Sequence, residues 1–426
     1  MLLLNPRMFF PIFFSFIFVS FAQIDQQLIK EGAPNVFVDC SYCYINYLKE
    51  QIPVVNYVRD RKDADVHILI STQRTAASGT EYSLFFIGQN KYHSINDTLK
   101  YATNQTDSEE SSRIKMVNAI KAGLARYIFN SSAAGKMNIS FYSLSEDTTE
   151  QKDDWDFWFF RTSINSFLNG QESTNFLDLY GNIAASRVTE DLKLNFNFGS
   201  SYYESNFKFA DRKIKNVSRY QSFGASVVKA IDKKWSWGIW YSTFRSTYSN
   251  IDYSLAIAGG LEYNIFPYSE SNQREFRINY KLSTGYNKYI SETIFFKLKE
   301  QVYVQSAEIS FTYIQPWGSI STSLSGATYL HDLSKNELEL EGSVSLKLLK
   351  GLSFDLYGGY SRIRNQISLP RGGATFEEVL LQRKELDTKY SYWASIGLSY
   401  SFGSIYNNIV NPRFGGGGSS TSIIIN

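Results

Sequence analysis

From Trp155 to Phe402, apolar and polar residues alternate through segment after segment. Each is roughly long enough to cross a membrane as a tilted strand. Residues 338–348 show the pattern. Leu338, Leu340, Val344, Leu346 and Leu348 fall on one side, and Glu339, Glu341, Ser343, Ser345 and Lys347 on the other. Successive strand side chains point to opposite faces, so one face is apolar and the other polar. A soluble sandwich does this once or twice. Here the period-2 pattern predicts about twelve strands, beginning near Trp155, Asn175, Leu192, Gln221, Trp235, Ser254, Arg274, Val302, Ser319, Glu337, Leu352 and Lys389. Such a series calls for lipid on one side and water on the other.

The connections alternate in length. Thr189-Glu190-Asp191, Asp232-Lys233-Lys234, Pro316-Trp317-Gly318 and Lys350-Gly351 are tight, whereas Phe207–Arg219, Ile290–Gln301 and Arg364–Thr388 are long. Outer-membrane barrels have short periplasmic turns and longer outer loops. An even strand count puts both ends of the barrel beside whatever precedes it.

The N-terminus predicts export. Arg7, the apolar run Met8–Val19 and the small residues Ser20 and Ala22 have the pattern of a secretory signal peptide over residues 1–22. Residues 23–138 change character. Strands are expected at Val36–Val38, Val54–Val58, Val66–Ile70 and Glu81–Gly88, and a helix at Tyr44–Gln51. Ile114, Val117, Ile120, Leu124 and Ile128 recur at helical spacing behind a capping box, Asp107 with Glu110. The predicted fold class is therefore α+β in two domains: a small periplasmic α/β domain (23–138), a linker (139–154), an antiparallel transmembrane β-barrel (155–402) and a flexible tail (403–426). Gly415–Ser420 lies in that tail. A net charge of +2 gives no reason to expect nucleic acid as a partner. The partners implied are outer-membrane lipid, the barrel-assembly machinery during insertion, and a periplasmic protein.

Gly397, Tyr400 and Phe402, in Ser395-x-Gly397-x-x-Tyr400-x-Phe402, resemble the signal by which Gram-negative barrels are recognised for insertion. The longer segments Tyr263–Glu270, Gln315–Ile320 and Ser401–Asn408 resemble a Gram-negative outer-membrane β-barrel family of uncharacterised function with an N-terminal periplasmic α/β domain. That resemblance implies the fold and supplies no catalytic role.

Few residues offer chemistry. Cys40 and Cys43 form the only C-x-x-C, at a strand end before a helix. This is the setting of a redox pair, and equally of a structural disulfide in an oxidising compartment. Zinc would need further ligands that His67 and His93 do not supply at the right spacing, and no metal or other cofactor is expected. His331, beside Asp332 in an outer loop, is the residue an outer-membrane hydrolase would use. A solvated loop histidine is the plainer reading. The face assigned to the lumen carries Arg161, Lys193, Lys229, Glu262, Arg277, Lys281, Glu308, Glu339, Glu341, Lys347 and Asp355. These charges either set solute selectivity or pair across a narrow bore. Thr375–Glu385, in the longest outer loop, has the pattern of a short amphipathic helix, either a plug or a rim helix. The expectation is a non-enzymatic barrel, either a narrow channel for small solutes or an anchor that docks its periplasmic domain to envelope partners. The alternative is an outer-membrane enzyme, a hydrolase or a thiol oxidoreductase acting through Cys40 and Cys43.

Overall fold

The computed structural model describes residues 29–40, 42–75, 79–136, 153–209, 212–372 and 385–408. The signal peptide, nearly all of the linker, the expected helix at Thr375–Glu385 apart from Glu385, and the tail from residue 409 lie outside the described residues.

The N-terminal part is a five-stranded mixed sheet with two helices on it. Its strands are β1 (Asn35–Asp39), β2 (Asn56–Tyr57), β3 (Val66–Arg74), β4 (Thr80–Gly88) and β5 (Asn96–Thr103). They lie in the order β2-β1-β3-β4-β5, with β1 parallel to both neighbours and β3-β4-β5 antiparallel. The helices are α1 (Ile45–Gln51) and α2 (Glu109–Phe129). Val36, Leu48, Val66, Ile68, Leu84, Phe86, Ile120, Leu124 and Tyr127 form the core, each at most 1% exposed. Leu84 and Phe86 come from alternate positions of a strand, and Ile120, Leu124 and Tyr127 from one face of a helix, so the two periodicities meet in one layer. The structure adds β5, which the sequence reading lacked. It is an edge strand with its first three residues exposed, so it alternates only over its second half, where Leu99 and Tyr101 pack on the core. The helix start also differs from expectation. Ser108, not Asp107, caps α2, accepting from the Ser111 amide at 3.1 Å. Asp107 instead accepts from the Asn104 amide at 2.8 Å and pairs with Lys115.

The remainder is one twelve-stranded antiparallel sheet in simple up-and-down order. Its strands are β6 (Trp158–Gly170), β7 (Thr174–Val188), β8 (Leu192–Phe209), β9 (Arg212–Ala230), β10 (Trp235–Ser246) and β11 (Ile251–Asn264). They continue as β12 (Arg274–Tyr289), β13 (Lys299–Gln315), β14 (Gly318–Tyr329), β15 (Asp332–Leu349), β16 (Leu352–Ile363) and β17 (Tyr390–Tyr400). The tight turns fall as expected. At Lys350-Gly351 the glycine has φ +72°, and a methyl there would stand 2.0 Å from the Ser401 carbonyl oxygen. One expected outer loop is not a loop. Phe207–Arg219 continues the β8–β9 hairpin out to the pair Phe209–Arg212. Its lysines and arginines break the alternation, yet backbone pairing carries on, because the ladder is made by main-chain groups that every residue carries. Among the described residues no ladder joins β17 to β6, so these two are the edges of the sheet.

The small domain sits against the tight-turn end. The side-chain amides of Asn272 and Gln105 reach across to the partner domain: Asn272 donates to Ser83 Oγ at 2.9 Å, and Gln105, with its oxygen turned to β6, accepts from Arg161 Nε and Nη1 at 3.2 and 3.0 Å. The Gly351 amide donates to Asp60 at 2.5 Å, Lys350 pairs with Asp63 and Lys347 with Asp39. These contacts reach from β6 to the β15–β16 turn. Nine strand spacings laid flat would extend ~43 Å, more than a ~110-residue domain of radius of gyration ~13 Å spans. The large sheet therefore curls towards the small one. The start of the tail joins the contact. The Asn407 amide donates to the Tyr57 carbonyl at 2.8 Å and Arg59 to that of Ile405 at 2.9 Å. Residues 405–408 thus extend the small sheet beyond β2 and are not free, contrary to the expectation of a wholly flexible tail.

Candidate functional site

Register decides which side chains share a face, because directly paired residues point the same way. One face runs through Ile278, Ile309, Leu324, Leu340 and Tyr360, paired in turn across β12 to β16. All are exposed, from 40% at Ile278 to 49% at Leu340. The opposite face runs through Glu262, Asn279, Glu308, Ser325 and Glu339. A third row, one pair further along, joins Arg277, Ser310, Ser323, Glu341, Gly359 and Trp393. Apolar side chains are thus exposed on one face, and polar ones are gathered on the concave one.

The expected lumen residues divide along these rows. Lys193 and Lys281 share a row with Gly238 and Gly260. Arg161 shares one with Asn197 and Gly224. Asp355 faces inward beside Ser345, whose hydroxyl donates to it at 2.6 Å. Lys347 faces inward at the turn end and is taken up by the small domain. Lys229 is the exception. Its neighbours are Leu192 and Trp237, followed by Leu261 and Tyr280, all on the apolar face. It stands next to the β9–β10 turn, where a long side chain reaches polar surroundings from an apolar face. The alternation is unbroken there, but Val227–Val228–Lys229 offers no sign of which register holds.

The inward charges meet around Arg277. Its guanidinium lies 3.5 Å from Glu262, 3.5 Å from Glu275 and 4.0 Å from Glu308. Below it, in the β11–β12 connection, Tyr268 donates to Glu262 at 3.0 Å and shares a hydrogen bond with Ser236 at 3.1 Å. Burial, with Glu262 beside it, pushes the Tyr268 hydroxyl up to about 12, so it stays a neutral donor. Two cavities, ≈ 430 and ≈ 470 Å³, meet at Arg277. Tyr268, Glu275, Trp240 and Trp393 were not among the expected site residues. The signal for the tryptophans was present in Gly238-x-Trp240 and Gly358-Gly359, but only pairing shows that ring and glycine are neighbours.

At the far end, residues 367–371 of the β16–β17 connection lie against the β10–β11 and β12–β13 connections. Asn250, in the β10–β11 turn, donates to the Ser368 carbonyl at 2.9 Å, and the Ile294 amide to that of Leu369 at 2.8 Å. Ile367 and Leu369 are buried there. His331 lies in the short β14–β15 turn with its ring 5.5 Å from that of Tyr329. Gly397 pairs with Asp355 inside, while Tyr400 and Phe402 stack at 5.6 Å, largely exposed.

In the small domain, Cys40 and Cys43 are joined in a disulfide just past β1. Asp39 at the strand end accepts from the fully buried His67 Nε2 at 3.1 Å and pairs with Lys347 of the large sheet. Burial raises the Asp39 carboxyl, but the His67 hydrogen bond and the Lys347 ammonium outweigh it and hold the group below the ordinary carboxylate range.

No family model and no curated protein matches the chain. Among solved structures it is similar to the NanC porin in a rhombohedral crystal form. The likeness covers 57% of this chain and 100% of that one at 10% identity and a TM-score of 0.27. A likeness this faint says nothing of what the chain does.

Proposed function

We propose that the chain is a non-enzymatic outer-membrane β-barrel whose edges β6 and β17 close on each other, with the α/β domain on the periplasmic side. Its polar lumen is a narrow passage for small solutes. The segregation of the two faces carries this reading: the exposed face is apolar and the concave face charged. In water that arrangement would expose a contiguous apolar surface far larger than a soluble monomer tolerates. In lipid it is what a barrel requires, and closure removes the two unpaired edges that hydrocarbon would not tolerate. Trp235, Trp237, Trp317 and Tyr313 lie near the turn end of the apolar face, where aromatic rings suit the membrane–water boundary. Purified protein should migrate differently on a gel before and after boiling and conduct in a planar bilayer. Absence of the gel shift refutes the barrel, and a shift without conductance refutes the passage.

A second reading is favoured by the contacts of the small domain: the barrel anchors that domain for an envelope partner. Crosslinking in intact envelopes should then capture a protein that is lost when residues 23–138 are deleted. Recovery of the same protein without the domain removes this reading.

A further inference from the structure

We infer that the concave face carries a saccharide-binding site built on Trp393. The inference rests on the proposed barrel, since Trp393 must face an aqueous lumen. Trp393 lies on the row that runs from Arg277 to Glu341 and Gly359. Its indole lies down against the wall at Gly359, where a methyl would stand 2.5 Å from Nε1 and 3.0 Å from Cε2. Only a residue without a side chain leaves room for this. The ring borders the ≈ 430 Å³ cavity, with Tyr357 beside it and Glu308, Glu341 and Arg277 among the residues that line it.

A flat apolar surface bordered by both donors and acceptors suits a ligand with the same division. A pyranose has it: a face of C–H groups to lie on the indole, and an equatorial rim of hydroxyls that both donate and accept. A compact cation would satisfy the carboxylates and leave Arg277 opposed to it. A wholly aromatic ligand would cover the ring and desolvate the charged rim without pairing it. A comparison within the lumen sharpens the point. Trp240 is laid against Gly238 and Gly260 in the same manner, but the Lys281 ammonium stands 4.3 Å from its ring centre and covers it. Among the described residues no cation stands over Trp393, which leaves that platform free for a ligand.

The test is isothermal titration of the full-length detergent-solubilised protein with maltose, and separately with tetramethylammonium as the compact cation. Maltose should bind, with affinity reduced about tenfold or more in W393L and in G359A, which keeps the tryptophan but displaces it. W235A, altering a ring on the outer face, should leave affinity unchanged. Each preparation is first checked for the boiling-dependent gel shift, so a failure of the barrel is read there and not in the heats. Wild-type protein that shows the shift but takes up no maltose overturns the inference. So does undiminished maltose affinity in shift-positive W393L or G359A, or binding of tetramethylammonium alone.

Discussion

Replacing Leu324 with arginine should destabilise the large sheet, whereas the same replacement at the next residue, Ser325, should not. Leu324 stands midway along β14, 41% exposed and paired with Ile309 and Leu340 on the apolar face. An arginine facing lipid near the bilayer midplane costs ~2–4 kcal/mol. Ser325 points the other way, directly between Glu308 and Glu339, so a guanidinium there gains two carboxylates on the polar face. If the apolar face met water instead, Leu324→Arg would be an ordinary surface change within about 0.5 kcal/mol. The two environments thus predict costs several-fold apart at one position, with its neighbour as control. With an m-value of about 1–3 kcal/mol per M, a loss of ~3 kcal/mol moves a urea midpoint by roughly 1–3 M. Unfolding in lipid vesicles, followed by the boiling-dependent gel shift, measures this. Equal midpoints for Leu324→Arg and wild type would refute the membrane-facing assignment of that row.

Two further outcomes follow from the small domain. Asp39 has its folded-state pKa lowered below the ordinary 3.8, so its contribution is complete above that value and is lost as pH falls through the lower, folded one. Protease sensitivity of the domain contact should therefore stay flat from neutral pH down to the ordinary carboxylate range and rise below it. Asp39→Asn should show raised sensitivity at neutral pH, and an unchanged pH profile in that variant would count against the Asp39–Lys347 contact. In α2, a methyl on Gly123 would stand 2.0 Å from Cζ of the buried Phe86, so Gly123→Ala should lower the stability of the small domain by about 1–3 kcal/mol. Thermal melting that matches wild type would show that the ring is free to move aside.

Backbone periodicity is a local property, which is why so much of the large sheet was legible from sequence. A strand shows its two faces residue by residue, so Leu338–Leu348 announced its apolar and polar rows without any partner, and the tight turns at Asp232–Lys234 and Lys350-Gly351 marked where strands reverse. The same locality explains the misses. β5 lies at an edge with its first three residues exposed, so only Leu99 and Tyr101 meet the core and the alternation is too short to stand out. Lys229 sits where an apolar face ends, and only its pairing with Leu192 and Trp237 reveals its side. The curling of the sheet, the seating of the small domain across its turns, the addition of residues 405–408 beside β2 and the laying of Trp393 on Gly359 all join positions far apart in the chain. Sequence alone determined which residues prefer an apolar surround and which water, since solvation acts on each side chain separately. Which of them became neighbours was decided by tertiary pairing, because register and curvature are properties of strands taken together.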